Sequence, residues 1–264
     1  MKYLAIGPGA MGFFMYLGVL SRLKLQDLEE ISGSSAGGLL AFLYVAAKGD
    51  IPAMLDFAIK VPIKQVMKPN LKNLLTNYGL VPTNKLEEKI KTICKKFLKK
   101  SDVTFQELYE YNPIKLHISA FCVDLKKTVY FSVDTHPTMS VCRAVSASVA
   151  IPLIMSSVRI GDWNYIDGGT QEQVPGDPFI GKNFEEVFCI KIAASDRTYI
   201  KDLKSYALTI VSSLASLRHD YNFKTMYIPN ETFDMFNFSY GSEDKLRMFM
   251  AGHHLPEVKS SVNE

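Results

Sequence analysis

Residues 28–48 read Leu28-Glu29-Glu30-Ile31-Ser32-Gly33-Ser34-Ser35-Ala36-Gly37-Gly38-Leu39-Leu40-Ala41-Phe42-Leu43-Tyr44-Val45-Ala46-Ala47-Lys48, and Gly49 follows. Leu28 to Ser32 reads as a buried strand, Gly33 to Gly37 as a sharp turn, and the apolar run from Ala36 to Lys48 as a helix that stops at Gly49. A strand that turns abruptly into a helix is the setting in which a serine of the pattern Gly-x-Ser-x-Gly stands out as a nucleophile. Gly33 and Gly37 leave room where side chains would collide with neighbouring backbone. Ser32 and Ser34 are close by, but only Ser35 has glycine two positions away on both sides. The pentapeptide alone serves equally well as a small-residue packing turn, because short motifs recur by chance. Its strand-to-helix context, and the helix N-terminus that favours negative charge beside it, favour the nucleophile.

Upstream, Lys2 to Ile6 reads as another short strand, followed by Gly7-Pro8-Gly9-Ala10-Met11-Gly12 and an apolar helix over about Phe13 to Leu23. Two strand–turn–helix units in succession predict an α/β fold with a parallel sheet. The glycine loop has two readings. It can cradle a dinucleotide pyrophosphate, or it can aim backbone N–H groups at the oxyanion of a tetrahedral intermediate. A dinucleotide site expects an acid at the end of the second strand, whereas Asp27, Glu29 and Glu30 precede or begin it. The serine turn occupies its end, so the oxyanion reading is favoured.

A nucleophilic serine needs a base. The histidines, His117, His136, His219, His253 and His254, have no motif around them; His219 and the His253-His254 pair are held in reserve. Tyr165-Ile166-Asp167-Gly168-Gly169 delivers a carboxylate to a Gly-Gly turn whose backbone can pass close to another segment. Asp167 is then a candidate to take the serine proton directly, although the same pattern also makes an ordinary Asp-Gly turn.

Together these motifs resemble the patatin-like phospholipase family, over roughly Tyr3 to Pro175. The glycine loop with Gly18-Val19-Leu20 behind it, the elbow at Ser35 and the Asp-Gly-Gly turn come in that family's order. Arg143-Ala144-Val145-Ser146-Ala147-Ser148-Val149-Ala150-Ile151-Pro152 is similar to its Ala-Ser-x-x-Ile-Pro segment. The resemblance implies a three-layer α/β/α sandwich around a mainly parallel sheet. It implies a lipid acyl ester substrate hydrolysed by a Ser35–Asp167 dyad, with no cofactor and no metal. It assigns the oxyanion hole to the loop of Gly7, Gly9, Ala10 and Gly12, around Gly9 and Ala10, with Gly33 and Gly37 shaping the elbow and Gly168 and Gly169 the aspartate turn. Two positions depart from the family pattern. Pro8 stands inside the glycine triplet and removes an N–H, and Met11 stands where a basic residue is usual. These departures keep open a catalytically weak lipid-binding protein of the same fold, and an acyltransferase on the same dyad is a further alternative.

The remaining sequence is read around that frame as one domain, residues 1–264, with the motifs in about 3–180. Ile51 to Tyr111, broken by Pro52, Pro62, Pro69 and Pro82, reads as a helical insertion after the nucleophile helix. Leu116 to Val123 and Thr128 to Val133 read as paired strands, Val141 to Val149 as a helix and Val187 to Ala193 as a core strand. Asp202 to Phe223 reads as a long helix within a C-terminal helical extension over about 200–255. The Met- and Phe-rich stretch from Met226 to Met250 serves equally as cavity wall, lid or core.

Lys89 to Lys100, KIKTICKKFLKK, is a basic amphipathic helix that suits an anionic interface. A surface helix docked on the sheet is the favoured reading, because such patterns are ordinary. A net charge of +3 does not suggest nucleic acid. Cys94, Cys122, Cys142 and Cys189 lack metal-ligand spacing, and Cys122 and Cys189 read as buried free thiols. The N-terminus lacks the pattern of a signal peptide, so the expectation is a protein that is cytoplasmic or else peripheral at membranes, and not secreted. The oligomeric state is not legible.

Overall fold

The computed structural model describes residues 1–193, 200, 205–206, 209–210 and 221–255. In chain order, β1 (Tyr3–Ile6) leads through the glycine loop to α1 (Phe13–Leu20), and β2 (Glu30–Ser34) leads through Ser35 to α2 (Ala36–Ala46). The insertion follows as α3 (Ile51–Lys60), α4 (Ile63–Val66), α5 (Leu71–Asn77), β3 (Gly79–Val81), α6 (Thr83–Ile93), a π turn (Cys94–Leu98) and α7 (Phe105–Tyr111). Then come β4 (Lys115–Cys122), β5 (Lys127–Phe131), α8 (Val141–Ser148), β6 (Leu153–Met155), β7 (Val158–Ile160), β8 (Trp163–Asp167), β9 (Val187–Ile192), β10 (Lys224–Ile228) and α9 (Ser242–His253).

The main sheet runs β10–β9–β1–β2–β4–β8–β7, with β5 paired to β4. From β10 to β4 every pairing is parallel, and β5, β8 and β7 close the sheet with antiparallel pairs. This mixed, mostly parallel sheet flanked by helices is the α/β architecture expected. Side chains alternate across it as the two-residue period requires. Leu4, Ile6, Phe188 and Ile190 join α1 and α2 in the large core, while Tyr3, Ala5, Val187 and Cys189 face a smaller cluster with Val174, Phe179 and Phe223. α1 and α2 are buried nearly all round, which is why their sequences are apolar on every side.

Four expectations need correction. β2 runs two residues further than Leu28 to Ser32, because its parallel pairing with β4 continues to Ser34 against Ser119 and delivers the chain directly to the elbow. The insertion is not wholly helical. Gly79 to Val81 pairs in parallel with Leu153 to Met155, a contact open to glycine because a Cβ at Gly79 would lie 2.1 Å from the backbone of Met155. The helix read over Asp202 to Phe223 lies mostly outside the described residues, but its last residue is not helical, and β10 begins at Lys224. The C-terminal extension therefore adds a strand to the sheet edge as well as a helix.

The C-terminal helix packs at the closest range. A Cβ on Gly18 of α1 would lie 2.0 Å from the Phe249 carbonyl oxygen, and one on Gly252 of α9 would lie 2.0 Å from that of Met15. The two backbones touch. Ser21 Oγ and His253 Nδ1, 2.7 Å apart, clasp the same crossing. The buried Lys245 ammonium donates to the Ile59 and Val61 carbonyls, 2.9 Å each, at the C-terminal end of α3. There it satisfies carbonyls that the helix end leaves without an internal partner.

Candidate active site

Ser35 occupies the turn between β2 and α2 with φ 55° and ψ −126°. Positive φ is costly for a residue with a Cβ and persists only where the surroundings determine it. Here the surroundings are specific. A Cβ on Gly37 would lie 2.2 Å from the Ile6 carbonyl oxygen, and one on Gly33 would lie 2.5 Å from that of Gly37. The Ser35 N–H donates to Ser148 Oγ at 2.9 Å, from the last residue of α8. Ser148 was legible only as a member of a motif, not as the acceptor that holds the elbow.

Ser35 Oγ donates to Asp167 Oδ2 at 2.6 Å. Asp167 ends β8, whose pairing with β4 places Ala120 opposite it. Its other carboxylate oxygen, Oδ1, accepts the Gly169 N–H at 2.7 Å, which fixes the plane of the group. Gly168 passes the Ser119 backbone and Gly169 passes Pro8, each too closely for a side chain. Burial is the main influence on Asp167 and raises its pKa from 3.8 to about 7, against the lowering effect of the Ser35 and Gly169 hydrogen bonds.

The glycine loop lies beside this pair. Of the four loop residues assigned to an oxyanion hole, two are already engaged. The Gly7 N–H donates to the Ile190 carbonyl at 2.9 Å and the Gly12 N–H to the Gly9 carbonyl at 2.7 Å. That part of the assignment is corrected. The Gly7 amide belongs to the sheet, and the Gly12 amide closes the short helical turn over Ala10 to Gly12. The Met11 N–H also donates inward, to the Met235 carbonyl at 2.9 Å. The N–H groups of Gly9 and Ala10 remain, and Ala10 has a φ of 44°. Tyr16, wholly buried on α1, clasps the loop, donating its hydroxyl to the Pro8 carbonyl at 2.8 Å and accepting the Ile192 N–H at 3.1 Å. Pro8 forfeits a donor, but its ring is the surface against which the aspartate turn packs.

Ser35 is buried rather than open to bulk solvent, and its access is an apolar slot. The slot, a cavity of about 160 Å³, is lined at one part by Ala10, Met11, Ser35 and Ala36. Its walls come from Leu39 and Leu43 of α2, Phe57 and Ala58 of α3, Ile63 and Val66 of α4, Leu86, Ile90 and Ile93 of α6, and Val149, Ile151, Met155 and Phe238. Met11, at the position read as unusually uncharged, contributes apolar wall. Phe238 gives the Met- and Phe-rich stretch one wall residue, while Met226 and Met248 are core. Lys89 is the one charged side chain on the lining.

The histidines serve elsewhere. His117 pairs with Glu30 at 2.9 Å and His253 with Ser21, and His219 lies outside the described residues. All four cysteines are free and buried. Among the described residues, Cys94, Asp102 and Cys142 are near enough together to share a metal, with the two sulfurs 3.4 Å apart. The sequence concealed this cluster because its members are far apart in the chain. The Cys94 hydrogen bond and burial hold the Cys142 thiol protonated. The apolar face of Lys89 to Lys100 is occupied by the protein itself, since Ile90, Ile93 and Cys94 are core residues and the helix passes into the π turn. That favours the docked surface helix over an interfacial one.

The sequence model of one family, described as patatin-like phospholipase, matches residues 4–180. A probable lipid hydrolase 463L of Invertebrate iridescent virus 6 is 25% identical over 183 residues, covering 67% of this chain and 62% of the relative. The uncharacterized protein R571 of Acanthamoeba polyphaga mimivirus is 25% identical over 182 residues, covering 66% and 60%. The chain thus spans about three fifths of the length of these curated relatives. VipD from Legionella pneumophila superposes with a TM-score of 0.69 at 16% identity, over 96% of this chain and 65% of VipD. At that identity the likeness concerns the fold alone.

Proposed function

The chain belongs to the patatin-like phospholipase family, and on that premise we propose that it hydrolyses lipid acyl esters with Ser35 as nucleophile and Asp167 as general base. The observation that carries the reading is the 2.6 Å hydrogen bond from Ser35 Oγ to Asp167 Oδ2 beside an apolar slot. In this mechanism the acyl chain lies in the slot and its ester carbonyl approaches Ser35. Asp167 takes the hydroxyl proton as Oγ attacks the carbonyl carbon. The oxyanion meets the N–H groups of Gly9 and Ala10 and the positive N-terminal end of α2. Collapse expels the alcohol, which leaves with the proton from Asp167. Asp167 then takes a proton from water as that water attacks the acyl-serine, and returns it to Oγ as the acyl–Oγ bond breaks, freeing the fatty acid and restoring both residues.

A base near neutrality is matched to this task, because a large share of it is ionised at neutral pH and it is still basic enough to assist. Among the described residues no histidine partners Ser35, which supports a two-residue arrangement with the Gly169 N–H in the orienting role that a third residue plays elsewhere.

The test is release of fatty acid from phospholipid and from p-nitrophenyl esters, with a chelator present, by wild type, Ser35→Ala and Asp167→Asn. Turnover by wild type, lost by about three orders of magnitude or more in both variants, is the expected result. Turnover that survives Ser35→Ala would refute the assignment. Binding of lipid without turnover would move the reading to a lipid-binding protein.

A further inference from the structure

From Phe57 to Leu86 the chain has no acidic residue and five lysines, Lys60, Lys64, Lys68, Lys72 and Lys85. Lys60 pairs with Asp56, but Lys64, Lys68 and Lys72 are exposed and have no acidic partner among the described residues. The same stretch exposes large apolar side chains that an isolated globular protein would bury. Leu71 is 70% exposed, Leu75 78% and Tyr78 74%, and Leu153 is 52% exposed. Leu71 and Leu75 are one helical turn apart on α5, and Leu153 is the strand partner of Gly79, which follows Tyr78. The exposed side chains thus sit on α5, at the residue joining it to β3, and on β6, the strand paired with β3.

This region is also held firmly. Asn73, buried on the inner side of α5, donates from its amide to the Gly79 carbonyl and to Ser156 Oγ at 2.7 Å. The Asn70 N–H donates to the Leu80 carbonyl at 2.7 Å. The exposure of Leu71 and Leu75 is thus a consequence of which side of the helix is fastened down. β6 and the neighbouring α4 wall the slot on the inner side, through Met155, Ile63 and Val66, with Met67 directly after α4.

We propose that α4, α5 and the β3–β6 pair form the face by which the protein lies on an anionic lipid bilayer, Leu71, Leu75, Tyr78 and Leu153 entering the headgroup layer and Lys64, Lys68 and Lys72 meeting its negative charge. Apolar side chains ringed by lysines are what an interface of that kind selects. A protein partner of like chemistry would need acidic groups around an apolar centre, whereas an anionic bilayer presents both in every orientation. The face adjoins the slot, so a lipid drawn from the bilayer reaches Ser35 without crossing water. The proposal rests on the lipid-hydrolase reading for its purpose, though not for its test.

The test uses the full chain carrying Ser35→Ala and sedimentation with vesicles of phosphatidylcholine alone or mixed with phosphatidylserine. Lys64→Gln/Lys68→Gln/Lys72→Gln is expected to weaken partitioning onto the anionic vesicles by about tenfold or more. Leu71→Ser/Leu75→Ser is expected to weaken it on both. With Ser35 restored, both variants should keep wild-type turnover of a soluble short-chain ester. Partitioning unchanged by either variant overturns the proposal. So does a wild type that ignores vesicles, or light scattering that finds a dimer which Leu71→Ser/Leu75→Ser splits. Vesicle binding by a protein without esterase activity would sustain this proposal while sinking the hydrolase reading.

Discussion

Ser148 Oγ accepts the backbone N–H of Ser35 at 2.9 Å, tying the end of one helix to the turn that carries the nucleophile. Both residues are buried. Ser148→Ala would leave the Ser35 N–H without its acceptor at a position already held at positive φ. The expected cost is about 1–3 kcal/mol of stability, read from denaturant unfolding. If Ser148 positions the elbow, kcat falls while KM for a soluble ester stays near wild type. A variant with lowered stability and unchanged kcat would show that the serine only helps the fold.

Asp167 acts as a base only when ionised. With its pKa raised to about 7, kcat/KM is expected to rise about tenfold per pH unit below that value and to level off above it. The profile of hydrolysis of a neutral ester, measured over that range, checks this. A limb that bends near the ordinary aspartate value would mean that the carboxylate is far better solvated than its burial implies.

The same shift has a stability consequence of definite sign. A carboxyl whose folded-state pKa is raised contributes stability that is complete below the unfolded value of 3.8 and is lost as pH rises through about 7. Asp167→Asn carries no charge to desolvate. It should melt at a higher temperature than wild type at about pH 8, by an amount worth a few kcal/mol at most, and the gap should close towards about pH 4. Equal melting temperatures throughout would contradict the burial argument. The inactive variant being the more stable one is what a strained catalytic carboxylate predicts.

The slot gives a prediction about chain length. Ala58 lines it from α3 and is largely buried. Ala58→Phe places a ring in a cavity of about 160 Å³. It should raise KM for long-chain p-nitrophenyl esters by about tenfold while leaving the shortest esters near wild type, since each buried methylene is worth about 0.8 kcal/mol. A uniform loss across chain lengths would point to overpacking rather than to a blocked acyl site.

Much of this was legible in the sequence because its signals are local. The elbow needs Gly33 and Gly37 on either side of one serine, and the aspartate turn needs Gly168 and Gly169 directly after one carboxylate. Their order then limits which strands carry them. What was not legible depends on contacts between distant segments. The strand at Gly79 to Val81 is too short to announce itself without Leu153 to Met155 beside it. The engagement of the Gly7 and Gly12 amides depends on the Ile190 carbonyl and on the local turn, and a glycine count does not reveal which N–H groups are already occupied. The lysines drew the reading towards Lys89 to Lys100, whose apolar side the core covers. The exposed leucines of α5 escaped it because Asn73, a polar residue, faces inward and inverts the usual pattern.

The close crossing of α1 and α9, where Gly18 meets the Phe249 backbone and Gly252 the Met15 backbone, bears on how the protein can be cut. Residues 4–180 are the part in which the family is recognisable, and they hold Ser35, Asp167 and the glycine loop. They do not include β10 or α9. A fragment ending at residue 180 would leave a bare backbone groove along α1, lined by apolar neighbours shaped to receive another helix. It would also lose β9 and so open the edge of β1. Ancestry and foldability therefore have different borders in this chain: the shorter border contains the candidate site, and only the longer one covers α1 and the sheet edge beside it.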